Sequence, residues 1–186
     1  MRNFILGILF AIVVLLAGGY FCLAKGYVNF AADQRPSLME AKLAMAAVDA
    51  WTDRRAPEGK NPIQPTEENI AAGAKIYLDH CAGCHGVPSN PDSQFARSFN
   101  PPAPGFFKDA PDMPESQNFY IIQHGIRWTG MPAWSKTLNE TQTWQIVTFL
   151  SNLEKLPPGA QKVFGPSAAA PTPTPTPMPM PMPMAR

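Results

Sequence analysis

One pentapeptide constrains this chain more than its length or average composition does: Cys81-Ala82-Gly83-Cys84-His85. Two thiols three positions apart, with an imidazole directly behind them, have the spacing at which a c-type haem is attached. The thiols can form thioether links to the porphyrin vinyl groups, and His85 is then placed to ligate the iron from the proximal side. A thioredoxin-like redox pair would employ the cysteines alone. It needs a βαβ setting and a low-pKa thiol at a helix start, whereas the stretch ahead of Cys81 reads as helix with no strand before it. A tetrahedral zinc site needs a fourth soft or imidazole ligand at short spacing, and none follows. Only covalent haem uses all three reactive side chains.

The remaining composition limits how large a core such a group can join. Among 186 residues there are 22 prolines, so much of the chain is irregular, and the ordered part leaves little sequence for a core of its own. A buried haem would supply the missing apolar mass. The formal net charge is +1, which leaves no basic footprint for nucleic acid. Residues 66–156 carry nine acidic and six basic side chains, a net −3, so the domain is mildly acidic. Cys22 stands alone in an apolar run, which leaves no disulfide. Covalent haem attachment in its place suits an oxidising, extracytoplasmic compartment.

That apolar run, Phe4 to Ala24, contains no charge and is bracketed by Arg2 and Lys25. At about 1.5 Å per residue it reaches roughly 30 Å, enough to cross a bilayer core. A cleaved signal peptide is the alternative, with Cys22-Leu23-Ala24 as the best cleavage site; the run is longer than the usual apolar stretch of such signals, which favours an uncleaved anchor over residues 1–25. Both readings export the domain that follows, and Arg2 stays on the cytoplasmic side. Residues 26–65 read as a stalk. Ser37-x-x-Glu40 is a capping box, and helix is predicted over about 37–53, ending before Pro57 and Pro62. Leu38, Ala41, Met45, Val48 and Trp51 share one face, to be covered by the protein's own domain, by the membrane surface, or by a partner subunit.

Residues 66–156 read as the folded, all-α domain. Thr66 can cap a helix that runs through Gly73 and Tyr77 to Cys81. Ser116 can cap a short helix that Gly125 ends. Asn139-x-x-Gln142 opens a last helix, through Trp144, Val147 and Leu150, with Pro157-Pro158 as its terminator. Between the second and third helices lies Gly130-Met131-Pro132-Ala133-Trp134. A loop stiffened by its glycine and proline suits an iron ligand opposite His85, and a thioether there raises the reduction potential. Met131 is favoured as this sixth ligand over Met113 and over His124, which sits in a last helical turn where histidine is common. His80, beside Cys81, is too close in sequence to reach the other face.

On these residues the domain resembles a class I, mono-haem cytochrome c. The likeness runs from Gly73 to about Leu150: Gly73 and Tyr77, then Cys81-Ala82-Gly83-Cys84-His85-Gly86, then Gly130-Met131-Pro132-Ala133-Trp134, then the Trp144 to Leu150 helix. It implies a small cytochrome c fold around one covalent haem c, bound through Cys81 and Cys84 with His85 and Met131 on the iron. It implies that the first and last helices cross closely at Gly73, with Tyr77, Trp144, Ile146 or Val147, and Leu150 in the contact. It places the Asn100 to Pro104 loop on the proximal side, with a backbone carbonyl there accepting the His85 ring N–H. It makes Arg127 and Trp134 the groups that meet the haem propionates. The anchor, stalk and tail fall outside the likeness.

The expected function is electron carriage rather than catalysis, since no acid, base and nucleophile stand together and no small-molecule substrate is implied. The expected partners are the membrane and redox proteins, or a respiratory complex of which the chain is a subunit. The expected location is the bacterial inner membrane, with the domain on the periplasmic side. A haem enzyme or gas sensor with an open iron position is the reading from another class. The tail, 157–186, is rich in Pro and Met and reads as a disordered spacer. Its methionines from Met178 to Met184 are soft donors suited to Cu(I), but at every second position they form no single stripe on a three-residue helix.

Overall fold

The computed structural model describes residues 1–165. Those residues are helical and contain no β-strand; a lone bridge joins Val87 and Asn90 across a turn. The chain forms two compact units, Met1–Ala32 and the part from Asp33 onwards.

The first unit is helix α1 (Arg2–Ala24), 23 residues long, which at about 1.5 Å each gives about 34 Å. It buries none of its side chains, and every large apolar group from Phe4 to Leu23 faces outward. Among the described residues it is the one helix long and apolar enough to cross a membrane, a test that a signal sequence also passes.

In the second unit, α2 (Leu38–Asp53) starts at the expected capping box: the Glu40 N–H donates to Ser37 Oγ at 3.2 Å, and the Ser37 N–H donates to Glu40 Oε2 at 3.3 Å. Its C-terminal end is docked on the domain. Trp51 packs against Tyr120 at 5.0 Å, the Gln117 side-chain amide donates to Asp53, and Thr52 is fully buried. The following segment is held too, because Asn61 Nδ2 donates to Thr148 Oγ1 at 2.9 Å. The second half of the predicted stalk is therefore part of the domain's surface.

The domain is built on a crossing of α3 (Glu67–His80) and α6 (Glu140–Leu150). Thr66 caps α3 and Asn139 caps α6 with the predicted Gln142 capping box. The helices approach so closely at Gly73 that a Cβ there would overlap the Gln145 carbonyl and touch Phe149. Ile70, Ala74 and Tyr77 of α3 and Trp144, Ile146, Val147, Phe149 and Leu150 of α6 form the core. A short α4 (Ala82–His85) follows α3 directly, and α5 (Glu115–His124) packs on α6 by stacking Phe119 on Trp144 at 4.2 Å. Helix α5 begins with Pro114 as its N-cap, two residues ahead of the expected Ser116; the Pro114 carbonyl accepts the first helical bond, from the Asn118 N–H at 3.0 Å, and Ser116 falls in the first turn.

Beyond α6 the fold departs from expectation. Helix α6 stops at Leu150, a 3₁₀ turn covers Leu153–Lys155, and a further helix, α7 (Pro158–Val163), returns onto α3. Pro158 sits in its first turn, where a missing N–H costs nothing. The Gly159 N–H donates to Glu67 Oε1 at 2.7 Å, Ala160 is fully buried, and Phe164 stacks on Phe149 at 5.7 Å. The expected domain boundary at Leu156 is thus too early, because Pro157-Pro158 opens a helix instead of ending the domain. The rest of the predicted spacer, with its Met178–Met184 run, lies outside the described residues.

Candidate functional site

The cysteines and His85 stand where α3 breaks into α4. Cys81 is at once the C-cap of α3 and the N-cap of α4, and its carbonyl accepts from both the Cys84 N–H at 3.1 Å and the His85 N–H at 2.9 Å. The turn closes on Gly86, whose φ of +82° and contacts with the Asn90 and Pro91 carbonyls admit no side chain. Three carbonyls of this stretch are tied to separate parts of the chain: Gly83 accepts from Ser93 Oγ at 2.6 Å, His85 from the Phe106 N–H at 3.1 Å, and Gly86 from the buried Tyr77 hydroxyl at 2.9 Å. Burial and the nearby Cys84 push the Cys81 thiol up to about 12, and burial also raises Cys84. A reactive thiol pair needs the opposite shift.

His85 is oriented by two contacts. Its Nδ1–H donates to the Pro104 carbonyl at 2.9 Å, and its ring lies flat on Phe106, 4.1 Å between centroids and 3° between planes. With Nδ1 as the donor, the Nε2 lone pair is left as the ligating position. Burial lowers the His85 pKa, opposed in part by the bond to Pro104, so the neutral, ligating form is favoured. The likeness called for a carbonyl from the 100–104 loop, and Pro104 is the residue that supplies it.

Met131 lies on a second loop, built on the end of α5. The Trp134 and Ser135 N–H groups donate to the Ile122 and Gln123 carbonyls at 3.0 and 3.2 Å, which satisfies acceptors left over at that helix end. Gly125, at φ +66°, packs so tightly against residues 131–133 that a Cβ has no room. The backbone of Met131 is held at both ends: its N–H donates to Thr129 Oγ1 at 3.1 Å and its carbonyl accepts from Ile126 at 3.1 Å. Its side chain is partly buried against the core. Phe99 packs on Gly130, so the loop that carries Pro104 also meets the loop that carries Met131.

The other candidates differ in their surroundings. Arg127 is exposed, with its guanidinium 6.0 Å over the ring of Trp128. Trp134 is partly buried and packs against the core and against His80, 5.3 Å between rings. His124 is exposed against Tyr120, and Met113 accepts an Asn118 hydrogen bond on its carbonyl. Sequence reasoning missed Phe106, Ser93 and Thr129, polar or aromatic residues in loops that carry no local signature.

The family model described as "Cytochrome C oxidase, cbb3-type, subunit III" matches residues 68–150, which span α3 through α6 and therefore both loops. This segment is a cytochrome c domain. A chain of the Kuenenia stuttgartiensis reducing HAO-like protein complex Kustc0457/Kustc0458 is 24% identical, with a TM-score of 0.44 over 52% of this chain and 50% of that one, so the chain spans about half the length of that neighbour. No curated relative matches. A cytochrome c domain implies haem c, and the donor set fits it: two thiols at the required spacing, and a neutral imidazole whose outer nitrogen is already bonded to a carbonyl.

Proposed function

We propose that this chain is a membrane-tethered, mono-haem cytochrome c that carries single electrons between redox partner proteins. In this reading α1 remains uncleaved as an anchor in the bacterial inner membrane, and the domain works on the periplasmic side. The observation that carries the proposal is the His85–Pro104 bond, because it sets the tautomer a proximal ligand needs before any metal is present. Cys81 and Cys84 would hold the group by thioether links, His85 and Met131 would ligate iron, and Arg127 and Trp134 would serve the propionates. Bound haem c supplies a one-electron couple, whose potential a thioether ligand raises. The chain's part is to hold both ligands still in either oxidation state. The backbone bonds of Met131 and the Pro104 carbonyl do this without moving a proton.

A visible absorption spectrum of the intact protein tests this reading. A low-spin spectrum with the weak long-wavelength band of methionine-bound ferric iron is expected, together with its loss in Met131→Ala. A high-spin spectrum with ready CO binding in the reduced protein would replace the carrier by a haem enzyme or gas sensor.

A second reading, a stable cytochrome subunit of a larger respiratory oxidoreductase, is favoured by the description of the matching family model, which is that of an oxidase subunit. Purification in mild detergent separates the two. A stoichiometric partner supports the subunit, and a lone chain supports the carrier.

A further inference from the structure

Helix α2 is apolar on more than the face it docks. Ala41, Val48, Trp51 and Thr52, on the docked side, are partly or fully buried. Leu38, Met39, Leu43 and Met45 in its first two turns are 65 to 83% exposed. At 100° per residue Met45 and Leu38, expected on the same face as Ala41 and Val48, border the docked side, and Met39 and Leu43 extend the exposed sector further round the helix, with Lys42 inside it. Glu40, the acid of those two turns, lies outside it and is engaged in the capping box on Ser37. The free surface is therefore largely apolar, and Lys42 within it can lay its stem among lipid chains while its ammonium reaches the phosphates.

Chain length selects the occupant. Gln34 is already tied to the domain, since its carbonyl accepts from Asn100 Nδ2 at 2.9 Å. Residues 25–33 alone connect α1 to that point, and even fully extended they reach only about 30 Å. With the headgroup layer taking up part of that reach, the bilayer surface is the nearest large partner for the start of α2. Exposed Tyr27 and Phe30 in the connecting segment suit the same depth, where aromatic side chains gather.

We infer that the first two turns of α2 bind the lipid surface through Leu38, Met39, Leu43 and Met45, making α2 a foot that holds the cytochrome c domain at the bilayer by its docked C-terminal end. The inference rests on α1 being an uncleaved anchor. The test uses the full-length, haem-loaded chain with Cys22→Ser, reconstituted in vesicles of phosphatidylcholine and phosphatidylglycerol, with a spin label at Leu43→Cys or, as reference, at Glu58→Cys. Glu58 is exposed in the segment after α2. Oxygen partitions into lipid and a nickel chelate into water, so the ratio of their relaxation effects at position 43 should exceed that at position 58 severalfold. Flotation with the vesicles but equal ratios at the two sites would overturn the foot and leave the anchor standing. Dipolar broadening at position 43 would assign the face to a second copy of the chain and overturn the lipid assignment. Failure to float would overturn the anchor, and the foot with it.

Discussion

The short helix that carries His85 and the loop that carries Met131 are both fixed by contacts to the rest of the domain, yet they are held in different ways. On the proximal side the ligand side chain itself is gripped, by a hydrogen bond at Nδ1 and a flat aromatic contact. On the other side hydrogen bonds grip the backbone of Met131, at its N–H and its carbonyl, and its side chain is held by packing, because a thioether is too weak an acceptor to be oriented by a donor. The difference shows where each ligand's precision resides. An imidazole can be aimed by its own second nitrogen, while a methionine must be delivered by the loop, and so depends on Gly125, Thr129 and the end of α5.

The largest effects should come from removing the ligands, and they should differ. His85→Ala is expected to lose the low-spin spectrum in both oxidation states, since no other imidazole stands at this turn. Met131→Ala should keep the proximal bond, lose the long-wavelength band and lower the potential by on the order of 0.1–0.2 V, part of the ~0.8 V over which axial ligands tune such centres. Spectra and a redox titration measure both. Identical spectra from the two variants would remove the asymmetry.

Next in size is Tyr77→Phe, which strips the buried Gly86 carbonyl of its donor on the proximal side. A buried acceptor left unsatisfied costs about 2 kcal/mol. Denaturant unfolding should show that loss with the ligand spectrum unchanged in the folded protein. A smaller loss, about 1 kcal/mol, is expected for Thr129→Val, whose hydroxyl accepts from Met131 and donates to the Ile126 carbonyl at 2.8 Å. Here the ligand band should fade at a lower temperature than global unfolding. If Thr129→Val lowers both together, the Met131 loop is not an independent device.

How much of this could be read beforehand follows from how local each feature is. The capping boxes at Ser37 and Asn139 and the cap at Thr66 are decided within four residues, and they form as expected. Gly73 was legible through family likeness, and its reason, the Gln145 carbonyl, comes from a helix more than seventy positions away. The loop 100–104 contains three prolines, and choosing Pro104 needs the three-dimensional closure of a segment whose Asn100-Pro101 bond is cis. Helix α7 was missed because Pro157-Pro158 is ambiguous: proline ends a helix behind it and starts one ahead. What decided the matter was burial of Ala160 and the packing of Phe164 on Tyr77, Phe107 and Phe149, a long-range gain with no trace in local pattern. For α2, the stripe of Leu38, Ala41, Met45, Val48 and Trp51 was visible, but not that Tyr120 on α5 would cover only its C-terminal end and leave Leu38 and Met45 exposed.

The smallest expected effect tests the outer surface of the proximal loop. Asp92 bonds Arg97 and Lys108, both at 3.3 Å, bridging the two flanks of the segment that carries Pro104. The Lys108 hydrogen bond and charge, with a further contribution from Arg97, hold its carboxyl below its ordinary value of 3.8. A depressed folded pKa means that the unfolded chain takes up the proton first as pH falls. The stabilisation is therefore complete above the unfolded value and disappears as pH drops through the folded one. Asp92→Asn should accordingly unfold slightly more easily than the parent near neutral pH and no differently in strong acid, with the gap narrowing in high salt because all three groups are open to solvent. Paired thermal melts at neutral and acid pH measure it. A gap that persisted in acid would place the role of Asp92 in loop geometry, and the proximal loop would then be held by its shape as much as the Met131 loop is.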